Sequence, residues 1–297
     1  MADFIETKFG KIPMNELTFS NFLEFPQISL PTYFDKKLTD KLVVEESKQS
    51  RLFKVNGRIT RLPKFLTPSL AYFVGYFFGD GGMKDLEKSV KVTGREDHKF
   101  KIADEHLMQI EQIQKIYAGL FWLDIAVRKE RLEKGEKTYY LETTNLVVYR
   151  FLCNVFGLSG GKKDFSLKIP GLIKNSHLEI KKAFLRGLFD ADGDTRAVEA
   201  GFNSQSRVKL RMKQKQFMFE VKDMLKEVFG VSVNGPYYDS IGSSYIQIER
   251  QSCIVNLAEN NLFFHPIKKW RLDKTANFLK NKNPLKGFVA ESKYVGS

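Results

Sequence analysis

Leu70-Ala71-Tyr72-Phe73-Val74-Gly75-Tyr76-Phe77-Phe78-Gly79-Asp80-Gly81-Gly82 decides the reading of this chain, because the sequence contains it twice. The second copy is Lys182-Ala183-Phe184-Leu185-Arg186-Gly187-Leu188-Phe189-Asp190-Ala191-Asp192-Gly193-Asp194. Gly75 corresponds to Gly187, Gly79 to Ala191, Asp80 to Asp192 and Gly81 to Gly193, each pair 112 positions apart. A period of that length marks a duplicated unit rather than a solenoid repeat. Residues 105–121 and 216–229 have amphipathic helical periodicity. They end in Phe121 and Phe229, 108 apart, so the halves differ by a four-residue indel.

A short basic strand precedes each of those helices. In the second half Val208, Leu210 and Met212 alternate with Arg207, Lys209, Arg211 and Lys213. The period of two turns the apolar set inward and the basic set outward. In the first half Phe100 and Ile102 face inward, Lys99 and Lys101 outward. Hairpins follow at 125–131/137–142 and 231–238/244–249, then helices at 145–156 and 251–260. Each half reads helix, hairpin, helix, hairpin, helix, an α+β pattern. Gly160, Gly161, Pro170 and Gly171 mark a linker. The units are a first repeat at 67–168 and a second at 169–280. An N-terminal extension, 1–66, and a polar tail, 281–297, flank them.

Lys and Arg exceed Asp and Glu by 48 to 35, a net charge of +13. That surplus points to a polyanionic partner, most often nucleic acid. With 42% hydrophobic residues the chain has material for a core, which excludes wholesale disorder. No apolar run approaches the ~18 residues of a membrane span. Met1–Gly10 lacks a signal-peptide pattern, and Cys153 and Cys253 are too few for a disulfide framework, so an intracellular protein is expected. His98, His106, His177 and His265 show no metal-ligand spacing.

The helix over 69–79 is apolar nearly all round and reads as buried. Gly75 and Gly79 share one face, as do Gly187 and Ala191, so the two helices pack closely along them. Their C-termini then meet, and each carries an acid followed by glycine, which suits a helix stop. An acid there opposes the helix dipole, and two side by side repel. A divalent cation relieves both penalties, and carboxylate and carbonyl oxygens suit Mg²⁺. Paired acids beneath a basic sheet face point to metal-assisted phosphodiester hydrolysis.

These residues resemble the LAGLIDADG family of homing endonucleases. Phe73–Gly81 looks like a first motif copy and Leu185–Gly193 like a second. The resemblance covers roughly residues 66–280. It implies a monomer of two pseudo-twofold-related αββαββα repeats whose antiparallel, saddle-shaped sheets bind double-stranded DNA. It also implies staggered cleavage with 3′ overhangs by metal-activated water. By resemblance Asp80 and Asp192 hold Mg²⁺ (Mn²⁺ or Ca²⁺ substituting for binding), assisted by the carbonyls of Gly79 and Ala191. A polar group at a strand end corresponds to Asp104 in the first half. In the second it is Met212 or Lys213, with Lys213 preferred because it faces out. A lysine after each repeat corresponds to Lys162 or Lys163, and to Lys268. The implied DNA contacts are Lys99, Lys101, Arg128, Lys129, Arg207, Lys209, Arg211, Lys213, Tyr245 and Gln247.

The other reading on the same scaffold is a binding protein, either an RNA maturase acting on intron RNA or a DNA-binding regulator. Retention of both acids favours the nuclease. Met1 and the ending Val295-Gly296-Ser297 lack intein-splicing residues, so a free-standing or intron-encoded enzyme is expected.

Overall fold

A computed structural model describes residues 4–7, 10–13, 28–31, 43–55, 57–131, 137–161, 163, 166–195, 206–240 and 242–282. The first repeat opens with helix α1 (Pro68–Asp80). The Thr67 side chain accepts from Leu70 N–H at 3.0 Å and caps it, and Pro68 fits the first turn, where no N–H is needed. Strand β6 (Gly81–Met83) follows directly, then a short helix α2 (Leu86–Thr93) and strand β7 (Lys99–Asp104). Helix α3 (Leu107–Phe121), strands β8 (Val127–Arg131) and β9 (Lys137–Thr144), and helix α4 (Leu146–Phe156) complete it.

The second repeat begins with a single helical turn, α5 (Gly171–Lys174), and helix α6 (Leu178–Asp192). Strands β10 (Gly193–Thr195) and β11 (Val208–Met212) follow, then helix α7 (Lys215–Phe229). Strands β12 (Asn234–Tyr238) and β13 (Ser244–Ile248) and helices α8 (Gln251–Glu259) and α9 (Pro266–Lys282) end it. The sheet orders are β6-β7-β9-β8 and β10-β11-β13-β12, antiparallel throughout. This is the α+β duplication expected, with α2, the single turn α5 and α9 added to it.

Register locates the indel. Gly81 pairs with Ile102 and Gly193 with Leu210, so the offset falls from 112 to 108 between the first two strands of each repeat. The first repeat holds α2 in that interval. The sequence reading has no helix there: it is only eight residues long, none of them is fully buried, and only Leu86 packs on the core.

Helices α1 and α6 cross at the centre, backbone against backbone. A Cβ on Gly75 would collide with the Phe184 carbonyl and stand 3.1 Å from Leu188 N. One on Gly187 would collide with the Tyr72 carbonyl and stand 2.8 Å from Tyr76 N. Gly79 lies against the Ala191 methyl. The glycines ending these helices are not in the left-handed conformation of a usual helix stop. Gly81 has φ −80° and Gly193 φ −74°, both extended. Glycine is needed there for space: a Cβ would strike the Phe77 ring at Gly81, and at Gly193 would stand 2.8 Å from a Phe189 ring carbon.

The crossing is pseudo-symmetric in backbone but not in chemistry. On one side, Tyr72 O–H donates to Asp190 Oδ2 at 2.6 Å and Gln109 Nε2 donates to Tyr72 at 3.1 Å, all fully buried. The equivalents of Gln109, Tyr72 and Asp190 are Phe217, Phe184 and Phe78. There Phe78 packs edge-on to Phe184 at 5.6 Å and stacks on Phe217 at 5.7 Å between ring centroids.

In the N-terminal extension, strands β1 (Phe4–Thr7) and β2 (Gly10–Pro13) pair with each other. Strands β3 (Val43–Glu46), β4 (Ser50–Val55) and β5 (Arg58–Pro63) form a meander. It braces the first repeat: Arg61 donates to the Gly119 carbonyl and Asn145 Nδ2 to Thr60 Oγ1, both at 3.0 Å. Phe53 and Leu62 join the common core. Among the described residues no helix is long and apolar enough to cross a membrane.

Because the atoms a Cβ would strike are backbone, they cannot rotate away. Gly187→Ala gains up to about 1 kcal/mol of helix propensity but should lose about 3 kcal/mol or more to overpacking. Gly82→Ala, with nothing within 4 Å of the added carbon, should stay within about 0.5 kcal/mol. Urea unfolding of both variants decides it; equal midpoints would show that the helices can separate at no cost.

Candidate metal centre and basic sheet faces

The crossing sets Asp80 and Asp192 beside each other at the ends of α1 and α6. A Cβ on Gly79 would lie 3.2 Å from Asp192 Oδ2, so this carboxylate leans over the end of the opposite helix. Burial pushes the Asp80 carboxyl up to about 7, with the Asp192 charge adding to the shift and Lys268 and Lys163 opposing it. Burial also raises Asp192, again against the two lysines.

Those lysines close the helix ends. Lys163 Nζ donates to the carbonyls of Phe78, at 2.7 Å, and Gly79. Lys268 Nζ donates to the carbonyls of Asp190 and Ala191, both at 2.6 Å. The carbonyls of Gly79 and Ala191, expected to assist a metal, each accept from one of these ammonium groups. An ammonium at a helix C-terminus relieves the same dipole that a metal ion would. The two acids and two lysines also balance in formal charge. Burial of Lys163 lowers its pKa, while the charges of Asp192 and Asp80 hold it up. Lys162 lies outside the described residues.

The segment around each lysine reaches across to the other repeat. Gln214 Nε2 of the second repeat donates to the Lys163 carbonyl at 3.0 Å. The turn that leads into α9, and so to Lys268, packs near Asp104 and His106 of the first, with His265 Nε2 3.8 Å from Asp104 Oδ1. Asp190, fully buried, fixes that turn by accepting from Phe264 N–H and His265 N–H, each at 2.9 Å. Burial raises its carboxyl to about 6, with Tyr72 and the two N–H groups holding it down. Sequence reading passed over Asp190 and Tyr72. Their signal was a hydroxyl inside the apolar helix α1 and a carboxylate inside the short apolar run 187–191 of α6.

Asp104 does not join the outward face of its strand. It shares parity with Phe100 and Ile102, which are buried, and accepts from Tyr76 O–H at 2.6 Å and His106 N–H at 2.7 Å. Burial raises its carboxyl, but His265, Tyr76 and His106 outweigh it and the net shift is downward. The 108 offset places buried Met212 opposite Asp104 in the repeat, so exposed Lys213 is not its counterpart. The second half therefore has no polar group at this position.

Lys209, Arg211, Tyr245 and Gln247 share one face, paired Lys209–Gln247 and Arg211–Tyr245 across β11 and β13. Lys209 Nζ lies 3.8 Å over the Tyr245 ring, and Arg211 Nε is 3.3 Å from Asp239. Arg207 precedes β11, half-buried. In the first repeat Lys99, Lys101 and Arg128 share the corresponding face with two acids that sequence reading missed. Lys99 and Lys101 pair with Glu142 and Glu130 at 2.9 Å, and Arg128 lies 3.5 Å from Glu142. Lys129 falls on the other face: it pairs with Tyr139, next to the inward pair Val127–Leu141. A lysine beside an arginine cannot share its face when side chains alternate.

Residues 179–249 match the family described as the LAGLIDADG-like domain. That match covers most of the second repeat, and the first repeat has the same element order. Among curated proteins, the replication factor C small subunit of Methanocaldococcus jannaschii is 29% identical over 165 residues. That match takes in 53% of this chain and 9% of the relative, so the chain spans under a tenth of that protein's length. Similar solved structures include the following two. One is I-DmoI in complex with DNA and Ca, 17% identical with a TM-score of 0.49, covering 69% of this chain and 97% of that one. The other is the homing endonuclease I-WcaI bound to its DNA recognition sequence, 18% identical with a TM-score of 0.48, covering 70% and 87%.

The Asp80 shift sets a pH dependence. Its folded pKa of about 7 lies above the unfolded value of about 3.9. Stability is therefore fullest below the unfolded pKa and falls as pH rises through the folded one. In EDTA the unfolding free energy should fall between pH 5 and 8 by an amount on the order of 2–3 kcal/mol, read as a lower melting temperature. Asp80→Asn should remove most of the drop. An unchanged pH slope in that variant would assign the effect elsewhere.

Proposed function

We propose that this protein is a site-specific DNA endonuclease that makes a staggered double-strand cut with 3′ overhangs. The observation that carries the reading is the buried Asp80–Asp192 pair. A protein that only binds has no use for two acids whose ionised forms the fold disfavours, whereas such sites suit divalent cations. The family match to the second repeat supports the same class.

The donor set fits a hard cation such as Mg²⁺: two carboxylates from opposite repeats, converging at one place. Asp80 and Asp192 would hold the ion or ions. A divalent ion there supplies Lewis-acid charge and activates water. The chain's own part is arrangement. The helix crossing holds the acids together, and Lys163 and Lys268 keep positive charge where a scissile phosphate gains negative charge. The outward residues of β7, β8, β11 and β13 would meet the duplex. Arginines suit guanine edges and lysines phosphates. Because both acids come from one chain, a monomer carries the whole site.

Cleavage of a randomised duplex library in Mg²⁺ tests this. We expect one long cut sequence with 3′ overhangs, lost in EDTA and in the Asp80→Asn/Asp192→Asn variant, which should still retain the DNA. Retention of a selected sequence by the parent without cutting would make it a regulator. Arg211→Ala should relax preference locally and cost about 1–3 kcal/mol if it reads a base. An unchanged cleavage profile would take it off the reading face.

A further inference from the structure

Four histidines scattered through the sequence suggest no metal site, yet the fold brings two of them together. Asp104, His106 and His265 each offer one ligand atom, and all three atoms lie within 4.8 Å of one another. His265 is 1% exposed, and its Nε2 is buried without a hydrogen-bond partner, facing Asp104 Oδ1 at 3.8 Å. The His106 and His265 rings stand edge to face, 4.9 Å between centroids. A buried imidazole nitrogen aimed at a carboxylate it does not reach leaves room for an atom between them.

We propose that Asp104, His106 and His265 form a second cation site, for imidazole-binding divalent metals of the Zn²⁺, Co²⁺ or Ni²⁺ kind. Two imidazoles and a carboxylate suit those ions, whereas Mg²⁺ prefers an all-oxygen shell. Donors ~2.0–2.1 Å from a tetrahedral ion lie about 3.3 Å apart, so the 3.8 Å gap closes with a small movement. The outer shell is in place: Tyr76 O–H holds Asp104 Oδ2 at 2.6 Å, fixing the carboxylate. The partly exposed His106 ring gives an ion its way in. Binding at Nε2 moves the His265 proton to Nδ1. That costs only the long 3.4 Å contact from Lys268 N–H.

The pseudo-symmetry separates this site from the acid pair. The equivalents of Asp104 and His106 are Met212 and Gln214, and three residues before Lys163, where His265 stands before Lys268, is Gly160. Chemistry shared by both halves cannot require a cluster that only one half contains. The site joins the end of β7 of the first repeat to the turn that leads into α9 of the second, so an ion there clamps the repeats together and steadies Lys268. The inference does not depend on the nuclease reading.

The test is calorimetric titration of Zn²⁺ into the untagged full chain. The Asp80→Asn/Asp192→Asn variant serves as the background that silences the acid pair. We expect one equivalent bound in this background, with a melting temperature raised by roughly 5 °C at hundredfold excess over Kd. His106→Ala should weaken binding at least about tenfold, the loss that follows even removal of an outer-shell partner. The His106 side chain makes no cap hydrogen bond to helix α3, so its removal leaves the helix start intact, and circular dichroism checks this. Co²⁺ absorption bands that vanish with His265→Gln would support imidazole ligation. Binding that survives His106→Ala, binding lost with the acid pair, or no binding at millimolar Zn²⁺ would each overturn the proposal.

Discussion

Everything in this molecule hangs on two helix backbones in direct contact. Gly75 and Gly187 remove the side chains that would hold α1 and α6 apart, and no other residue fits at either point. Because the contact is backbone to backbone, it cannot slide or absorb error through rotamers. The helix ends are therefore fixed relative to each other, and so are the acids on them. Each sheet hangs from its own central helix through the strand that leaves it without a loop, β6 after Asp80 and β10 after Asp192. The sheet faces inherit their placement from the same contact.

Fixing two carboxylates in a buried place has an electrostatic cost, and the chain answers it before any metal arrives. Lys163 and Lys268 sit on the last carbonyls of the two helices and offset both the dipoles and the carboxylates. The compensation is incomplete, since burial still raises both acids. The centre is thus closed and formally balanced, yet holds two groups that gain by meeting more positive charge. Segment 160–171 is the linker by composition, but it threads one of the two central cations into place.

The duplication was legible because it is local. Small residues four apart, an acid and a glycine survive as a string, and strand alternation correctly turned Lys99, Lys101, Lys209 and Arg211 outward. The failures share one cause, which is that sequence does not carry position in space. Met212 and Lys213 both stay open in the sequence because the indel is placed only by the register of β6 and β7, and the outward-facing preference for Lys213 points to the wrong one. Lys129 was grouped with Arg128 by adjacency, although alternation sends neighbours to opposite faces. Asp104 and His265 are remote in the chain and meet only because each repeat's trailing loop crosses to the other's strand end. Glu130 and Glu142 read as ordinary charges until their pairing with Lys101 and Lys99 showed that the first sheet face is partly neutralised.

The Gln109–Tyr72–Asp190 cluster and its all-phenylalanine counterpart record how far the halves have parted. In a dimer of two second repeats, Asp190 would face a phenylalanine ring, burying a carboxylate with no hydroxyl to meet it. In a dimer of two first repeats, Tyr72 would bury its hydroxyl against Phe78. Neither half can serve as its own mate. The ancestral symmetry persists in the path of the chain, while the side chains at the crossing enforce a pairing of unlike halves. Each repeat is therefore free to diverge in what its outer face recognises, without risk of the molecule assembling from two copies of the same half.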